Sequence, residues 1–425
     1  MPAERRAQRP PPPRRASAGR AWLVRRARAL LGGAAAARHS LVALGFNSTT
    51  SIVAGVVLGS IIGIFDRLPG LLIMVPAAIG LRGNISTAFG NRLSTSIHTG
   101  QFRLSRRRRS LLMQNLEASF ILSAALSVGL AVVAKLGAIA FGVEGAVPVH
   151  SLALISITAG LLSSLVVHTV TVVLAWATVR FGWDLDNVIA PVDSTFGDVL
   201  TLPSLWLTSH LVGMPGEALL AWLLIAASLA VFAYGLFGPG EIVRDVTRQS
   251  WPILLAAVCV QTLAGVILEQ RLDALVVLPA LLVLQPAFVS SAGALGGILS
   301  SRLASRLHLG VVQPTAVPGR GPRRDALVLV GLAVAVYLFD GAAAHGAARL
   351  TGLHSPGLLP MTALSLVAGL ISVAFVLVIA YYGTILAYRF RLDPDIYGIP
   401  AVTSSVDFAG SLVLISLAAG FVLPG

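Results

Sequence analysis

The chain has 425 residues, 56% hydrophobic and 12% charged, with a mean hydropathy of +0.85, a net charge of +13 and one cysteine. Its apolar runs are longer than a water-soluble core needs and reach the roughly 20 residues that cross a bilayer, which leaves an all-α polytopic membrane protein. Cys259 alone allows no internal disulfide and no cysteine-rich metal cluster, and with Lys135 as the one lysine there is no nucleotide-binding P-loop.

Ten of the 31 basic residues precede Ser40. Residues 1–39 therefore read as a basic, disordered cytoplasmic tail that fixes topology and touches anionic lipid. Organellar targeting or RNA binding is the sharper alternative, and no nucleic-acid partner is expected. Apolar windows then predict eleven spans, at roughly 41–65, 68–90, 117–142, 151–178, 188–212, 217–237, 251–269, 275–299, 325–345, 359–387 and 397–423. With the tail inside, the arginine-rich loops "NRLSTSIHTGQFRLSRRRRS", "VRDVTRQS", "SRLASRLHLGVVQPTAVPGRGPRR" and "YRFRLDPD" also fall inside. The opposite loops, such as "GVEGAVPVH", carry few arginines. Arginine asymmetry thus predicts a cell-membrane protein with its N-terminus inside and its C-terminus outside.

The chain repeats itself. At an offset of 210, Arg38 matches Arg248, Pro69 matches Pro279, Pro76 matches Pro286, Gly83 matches Gly293, and "RLSTSIHTG" (92–100) matches "RLASRLHLG" (302–310). At 209, Gly160 matches Gly369, and "PVDSTFGDVL" (191–200) matches "PAVTSSVDFA" (400–409), each with an aspartate seven places after the proline. Two five-span units joined directly would be inverted, because five is odd. The extra span at 217–237 makes them parallel, like subunits of a symmetric dimer within one chain. The organisation expected is a tail (1–39), a first repeat (40–213), a linking helix (214–240) and a second repeat (241–425).

An aspartate at mid-span costs roughly 2.5–3.5 kcal/mol on insertion scales, so two in one repeated frame point to function. Asp198 and Asp407 are expected to face each other across a central cation path. In the bland alternative each caps a broken helix or bonds a nearby hydroxyl, Thr195 or Ser405. "PAAIGLRGNISTAFG" and "PAFVSSAGALGGILS" combine proline, glycine and small hydroxyl residues, as broken helices lining a polar cavity would, although close helix packing also uses such residues. Arg82 and Asn84 set the first copy apart, and Asn84 offers a neutral oxygen where its counterpart Ala294 offers none. Glu117 and Asp325, read as the starts of the third and ninth spans, are either macrodipole partners or vestibule carboxylates. Asp184, Asp186, Asp393 and Asp395 flank spans five and eleven as caps or cation-gathering groups, whereas Asp193 and Asp340 lack acidic counterparts. His98 and His308 sit at a basic edge and read as solvated. An intramembrane aspartyl protease also needs two aspartates on different spans, and a non-transporting scaffold using the basic tail is the other alternative.

The Pro-x6-Gly-Asn core at 76–84, the following Arg-Leu-Ser-Thr, the closing Thr-Gly and the two Pro-x6-Asp frames together resemble the membrane domain of MgtE-type magnesium transporters. The duplication with a linking span is similar to the solute carrier family 41 branch, and the resemblance covers about residues 38–423. It implies transport of Mg²⁺ or another divalent cation between two five-helix units, with no resident cofactor and no enzymatic activity. Asp198 and Asp407 would be the selectivity carboxylates, Asn84 and the backbone from Gly80 to Gly83 would line the path, and Glu117 would add an acid. Carbonyls near Pro191, Ser194, Pro400 and Thr403 are weaker candidates. The asparagine is missing from the second half, and no soluble regulatory domain is expected before the membrane region. Mg²⁺ sheds water reluctantly and is commonly held by one or two carboxylates plus waters, which a sparse aspartate pair suits; Mn²⁺, Co²⁺ and Zn²⁺ remain as alternatives.

Overall fold

The computed structural model describes residues 40–102, 104–105, 107, 110–181, 185–308, 312–390 and 399–421, less the side chains of 98, 185–195, 305, 308, 399 and 421. The basic tail, Asp184, Asp393 and Asp395 lie outside the described residues, as do the side chains of Asp186, Asp193, Thr195, His98 and His308. Leu44–Gly425 forms one compact unit, distinct from Met1–Ala43.

Among the described residues the fold is entirely helical. In chain order the helices are α1 Ser40–Ser60, α2 Gly63–Arg67, α3 Leu71–His98, α4 Leu111–Ala140, α5 Val149–Phe181, α6 Leu185–Ser209, α7 Glu217–Phe237, α8 Glu241–Glu269, α9 Leu272–Val277, α10 Ala280–His308, α11 Arg320–Leu350, α12 Leu358–Arg389 and α13 Ile399–Phe421. The repeat is visible in this order: long, short, then long at α1–α2–α3 and again at α8–α9–α10. Among the described residues, ten helices are long and apolar enough to cross a membrane. The remaining predicted span, the fifth, is α6, which has sufficient length but is more polar, with Asp193 and Asp198 within it.

Contacts between helix ends show that α6 nevertheless traverses the bundle. At one end, Val147 N–H donates to Pro69 O at 3.0 Å, Ala280 N–H to His354 O at 3.3 Å, and Gly70 N–H to Glu269 Oε1 at 2.6 Å. Glu217, just after α6, bonds Ser151 in the first turn of α5, so the chain has returned to that end. At the other end, Arg248 Nε donates to Leu236 O at 2.9 Å and Tyr381 Oη to Thr315 O at 3.0 Å. The first helices of both repeats therefore start from the same end, and the repeats are parallel.

The second and eighth spans depart from the sequence reading. α3 and α10 are continuous helices of 28 and 29 residues running through Pro76 and Pro286. Each proline removes one N–H, but the remaining i to i−4 bonds and the packed neighbours hold the helix, as membrane helices allow. Backbone carbonyls from Gly80 to Gly83 therefore belong to a helical ladder, not to an unwound lining. The starts of spans three and nine also shift. Ser110 caps α4 by accepting from Met113 N at 3.3 Å, which makes Glu117 the seventh residue of that helix; Asp325 is the sixth of α11. Neither sits in a first turn, so neither acts as a macrodipole partner there.

Packing crosses between the repeats reciprocally. A Cβ on Gly55 of α1 would fall 2.1 Å from Val283 O of α10, and one on Gly265 of α8 would fall 2.0 Å from Ile73 O of α3. Gly55 and Gly265 are 210 apart, and so are Ile73 and Val283. Residue i of one half meets j of the other and the converse holds, which is the signature of a two-fold relation. The opening helix of each repeat thus packs on the core helix of its partner. α10 is the most enclosed span, with 67% of its apolar stretch buried, while the linking helix α7 has 22% and turns Leu219, Trp222 and Leu223 outward.

Candidate ion site

Asp198 sits mid-way along α6 and is buried, 8% exposed. Its Oδ2 accepts from Ser51 Oγ of α1 at 2.9 Å. Asp407 sits in α13, and its Oδ2 accepts from Gln261 Nε2 of α8 at 2.8 Å. Ser51 and Gln261 are themselves 210 apart, so the opening helix of each repeat supplies the donor that holds that repeat's aspartate. The capping alternative does not fit, since both residues lie inside helices, and Ser405 Oγ donates to Ala401 O and not to Asp407.

α3 and α10 form the wall behind these carboxylates. A Cβ on Gly197, next to Asp198, would lie 3.8 Å from Gly83 N, which brings α6 against the Gly83–Asn84 stretch of α3. In the other repeat a Cβ on Gly293, the counterpart of Gly83, would lie 3.8 Å from Asp407 Oδ1. Gly83 itself faces open space, and Asn84, half-buried, has an Nδ2 with no hydrogen-bond partner. α13 touches α3 across the halves, and Gln261, the donor to Asp407, lies over Gly80 of α3. Four sequence-predicted residues, Asp198, Asp407, Gly83 and Asn84, are thus gathered where the repeats meet.

Two others are not. Asp325 is paired with Arg306 of α10 through both guanidinium nitrogens, so its carboxylate is engaged at the basic end of the bundle. Glu117 is half-buried on α4 and makes no hydrogen bond or ion pair among the described residues. No group of three or more His, Cys, Asp or Glu side chains clusters there either, which excludes a tight all-protein cage among the described residues.

Sequence reasoning passed over Gln261 and Ser51. Gln261 is 1% exposed, its amide lies over Gly80 of α3 where a Cβ would come within 1.9 Å, and its Oε1 is unpartnered. The signal was present: both are polar positions in apolar spans, in one repeat frame. Arg82 is also buried, 4% exposed, and bonds Ser123 Oγ at 2.7 Å and Ser127 Oγ at 2.6 Å, with no carboxylate partner among the described residues. It lies against Gly160; against the matched Gly369 lies the ring of Tyr337. The two halves share a backbone plan and differ in buried charge.

These features define a multi-pass α-helical membrane protein of two matched, parallel halves, each bringing one held carboxylate to their junction. The chain belongs to the MgtE family of divalent cation transporters, which it matches twice, over residues 75–208 and 285–417. It is similar to solute carrier family 41 member 2 of Macaca fascicularis, 26% identical over 389 residues covering 83% of this chain and 64% of the relative. The same member from Gallus gallus is 26% identical over 405 residues, covering 86% and 66%. Solute carrier family 41 member 3 of Mus musculus is 25% identical over 378 residues, covering 83% and 75%. The chain spans slightly less than two thirds of the member 2 relatives. No solved structure matches it.

Proposed function

We propose that this chain transports a divalent cation, Mg²⁺ first among them, along a path between its two halves, with Asp198 and Asp407 as the central site. The observation that carries the reading is the pair of repeat-matched carboxylates, each fixed by a repeat-matched donor and each backed by a glycine of the core helix. A pair of carboxylates without a full set of protein ligands suits an ion that keeps much of its water, and Asn84 adds a neutral group on one side only. Selectivity for the doubly charged ion follows from charge, since each carboxylate attracts Mg²⁺ twice as strongly as a monovalent ion at the same distance. A channel and an ion-coupled exchanger are both compatible with this site.

The domain organisation proposed is a lipid-touching basic tail over 1–39, repeats at 40–213 and 241–425, and a linking helix between them. Arg107, Arg244, Arg248, Arg306, Arg323 and Arg389 all lie at one end of the bundle. That end is proposed to face the cytoplasm, in the cell membrane, with the C-terminus outside.

Replacing either aspartate by asparagine keeps its size and removes one charge. At an effective dielectric of about 20, a carboxylate roughly 6 Å from Mg²⁺ contributes on the order of 5 kcal/mol of attraction before desolvation. Asp198→Asn or Asp407→Asn is expected to lower Mg²⁺ flux into proteoliposomes about tenfold or more, with folded yield retained. The double variant should add little, because both residues serve one site. Full transport by a well-folded double variant would remove the proposed site.

A further inference from the structure

One buried aspartate takes no part in that path. Asp340, midway along α11, is 0% exposed and makes no ion pair among the described residues. Its Oδ2 accepts from Ser291 Oγ of α10 at 2.8 Å, and Ser291 Oγ in turn lies 3.0 Å from Ser48 Oγ of α1. Its Oδ1 is buried without any hydrogen-bond partner. Beside this group, Asn47 and Ser290 exchange hydrogen bonds at 2.9 and 3.1 Å, so the polar cluster continues along the seam between α1 and α10.

Neither protonation state satisfies the carboxyl group. As an anion it is an uncompensated buried charge, which is costly in a membrane interior. As a neutral acid it leaves Oδ1 orphaned whichever oxygen holds the proton: a proton on Oδ1 finds no acceptor, and a proton on Oδ2 leaves Oδ1 without a donor. A cation against Oδ1 resolves both defects. One carboxylate balances one positive charge, the groups bonded around it are neutral serine hydroxyls, and no group of three or more His, Cys, Asp or Glu side chains gathers there among the described residues. The donors are carboxylate and hydroxyl oxygens only, the set that hard cations take.

We infer that Asp340, Ser48 and Ser291 form a binding site for one small monovalent cation of the sodium class. It is a single site, because the first repeat has no acidic counterpart of Asp340. It is also a joint between the halves, because α1 belongs to one repeat and α10 and α11 to the other. Ser48 and Ser51 are three residues apart on α1 and share a helix face. An occupied site therefore fixes the stretch of α1 that presents Ser51 to Asp198; this last consequence rests on the proposed path, whereas the site does not.

The test is thermal unfolding of the full chain in lipid nanodiscs, titrated with sodium chloride against choline chloride at constant ionic strength. A ligand that binds only the folded state raises its stability in a saturable way. The wild type and Asp198→Asn should show a saturable sodium-dependent rise in Tm, and Asp340→Asn should show none. Ser48→Ala and Ser291→Ala should each move the sodium midpoint upward by about five- to tenfold, the loss of one oxygen ligand, and these milder variants keep the test open if Asp340→Asn fails to fold. A wild type indifferent to the exchange of sodium for choline would overturn the inference, as would a sodium response that survives in folded Asp340→Asn. A Tm that follows pH and not sodium, lost in Asp340→Asn, would overturn it in favour of a proton site. The Mg²⁺ response of the same samples reports on the aspartate pair, so failure of one reading is distinguishable from failure of the other.

Discussion

Ser51 and Gln261 occupy one repeat position and perform one task with different reach. The serine hydroxyl holds Asp198 from close by, while the longer amide of Gln261 crosses over Gly80 to hold Asp407 and leaves its own oxygen unsatisfied. A hydrogen bond to a charged group contributes roughly 1.5–3 kcal/mol. Gln261→Leu and Ser51→Ala are accordingly each expected to lower Mg²⁺ flux about tenfold or more while the protein still folds. Flux and size-exclusion profile measured on the same preparations check both; wild-type flux in folded Gln261→Leu would refute the positioning role. The aspartates were legible because the same rare residue recurs in the same frame of a polar-poor span. Their donors were not, because a serine and a glutamine do not resemble one another, and only the fold shows that they do the same thing. Asp325 shows what spacing leaves out: the sequence left it open as a macrodipole partner or a vestibule carboxylate, and the fold pairs its carboxylate with Arg306 of α10.

Helices were more legible than their ends. Hydropathy windows find the apolar middle of a span and trim its polar flanks, which is why α4 and α11 begin several residues before the windows and why Glu117 and Asp325 moved inward. Proline and glycine in spans two and eight suggested breaks, but α3 and α10 absorb their prolines, and Gly80 of α3 makes way for the Gln261 amide. Close backbone approach falls instead at Gly55 of α1 and Gly265 of α8, where a Cβ would be driven into a carbonyl oxygen. Gly55→Val and Gly265→Val are each expected to destabilise by about 1–3 kcal/mol or more and to do so to a similar extent, whereas Gly83→Ala meets open space and should leave folding intact. Thermal unfolding of purified protein reads all three. The amino end of α3 offers a separate check. Gly70 adopts φ +88° and gives its N–H to Glu269, which also faces the N–H groups of Leu72 and Ile73. Glu269→Gln should cost about 1 kcal/mol through loss of a charge at a helix N-terminus.

At the scale of the whole molecule, an odd number of spans per repeat plus one linking helix predicted parallel halves, and the contacts at the two ends of the bundle bear this out. The exchange of opening helices between halves was not legible, because hydropathy carries no record of which helix lies beside which. Topology is open to a direct test. With Cys259 replaced by serine, a single cysteine at Ala146 or Met214 should react with an impermeant thiol reagent added from outside, and one at Ala316 from inside. Opposite reactivity at Met214 and Ala146 would mean that α6 does not cross. The exchanged helices also set a timetable. α1 leaves the ribosome more than 200 residues before its partner α10, and α3 must wait for α8 to fill the groove at Ile73 and for Glu269 to meet its first turn. A first repeat inserted in the bilayer during synthesis therefore holds two unsealed helix faces until the second repeat arrives. Prolonged association with a membrane chaperone should end when α10, and not α6, has been inserted.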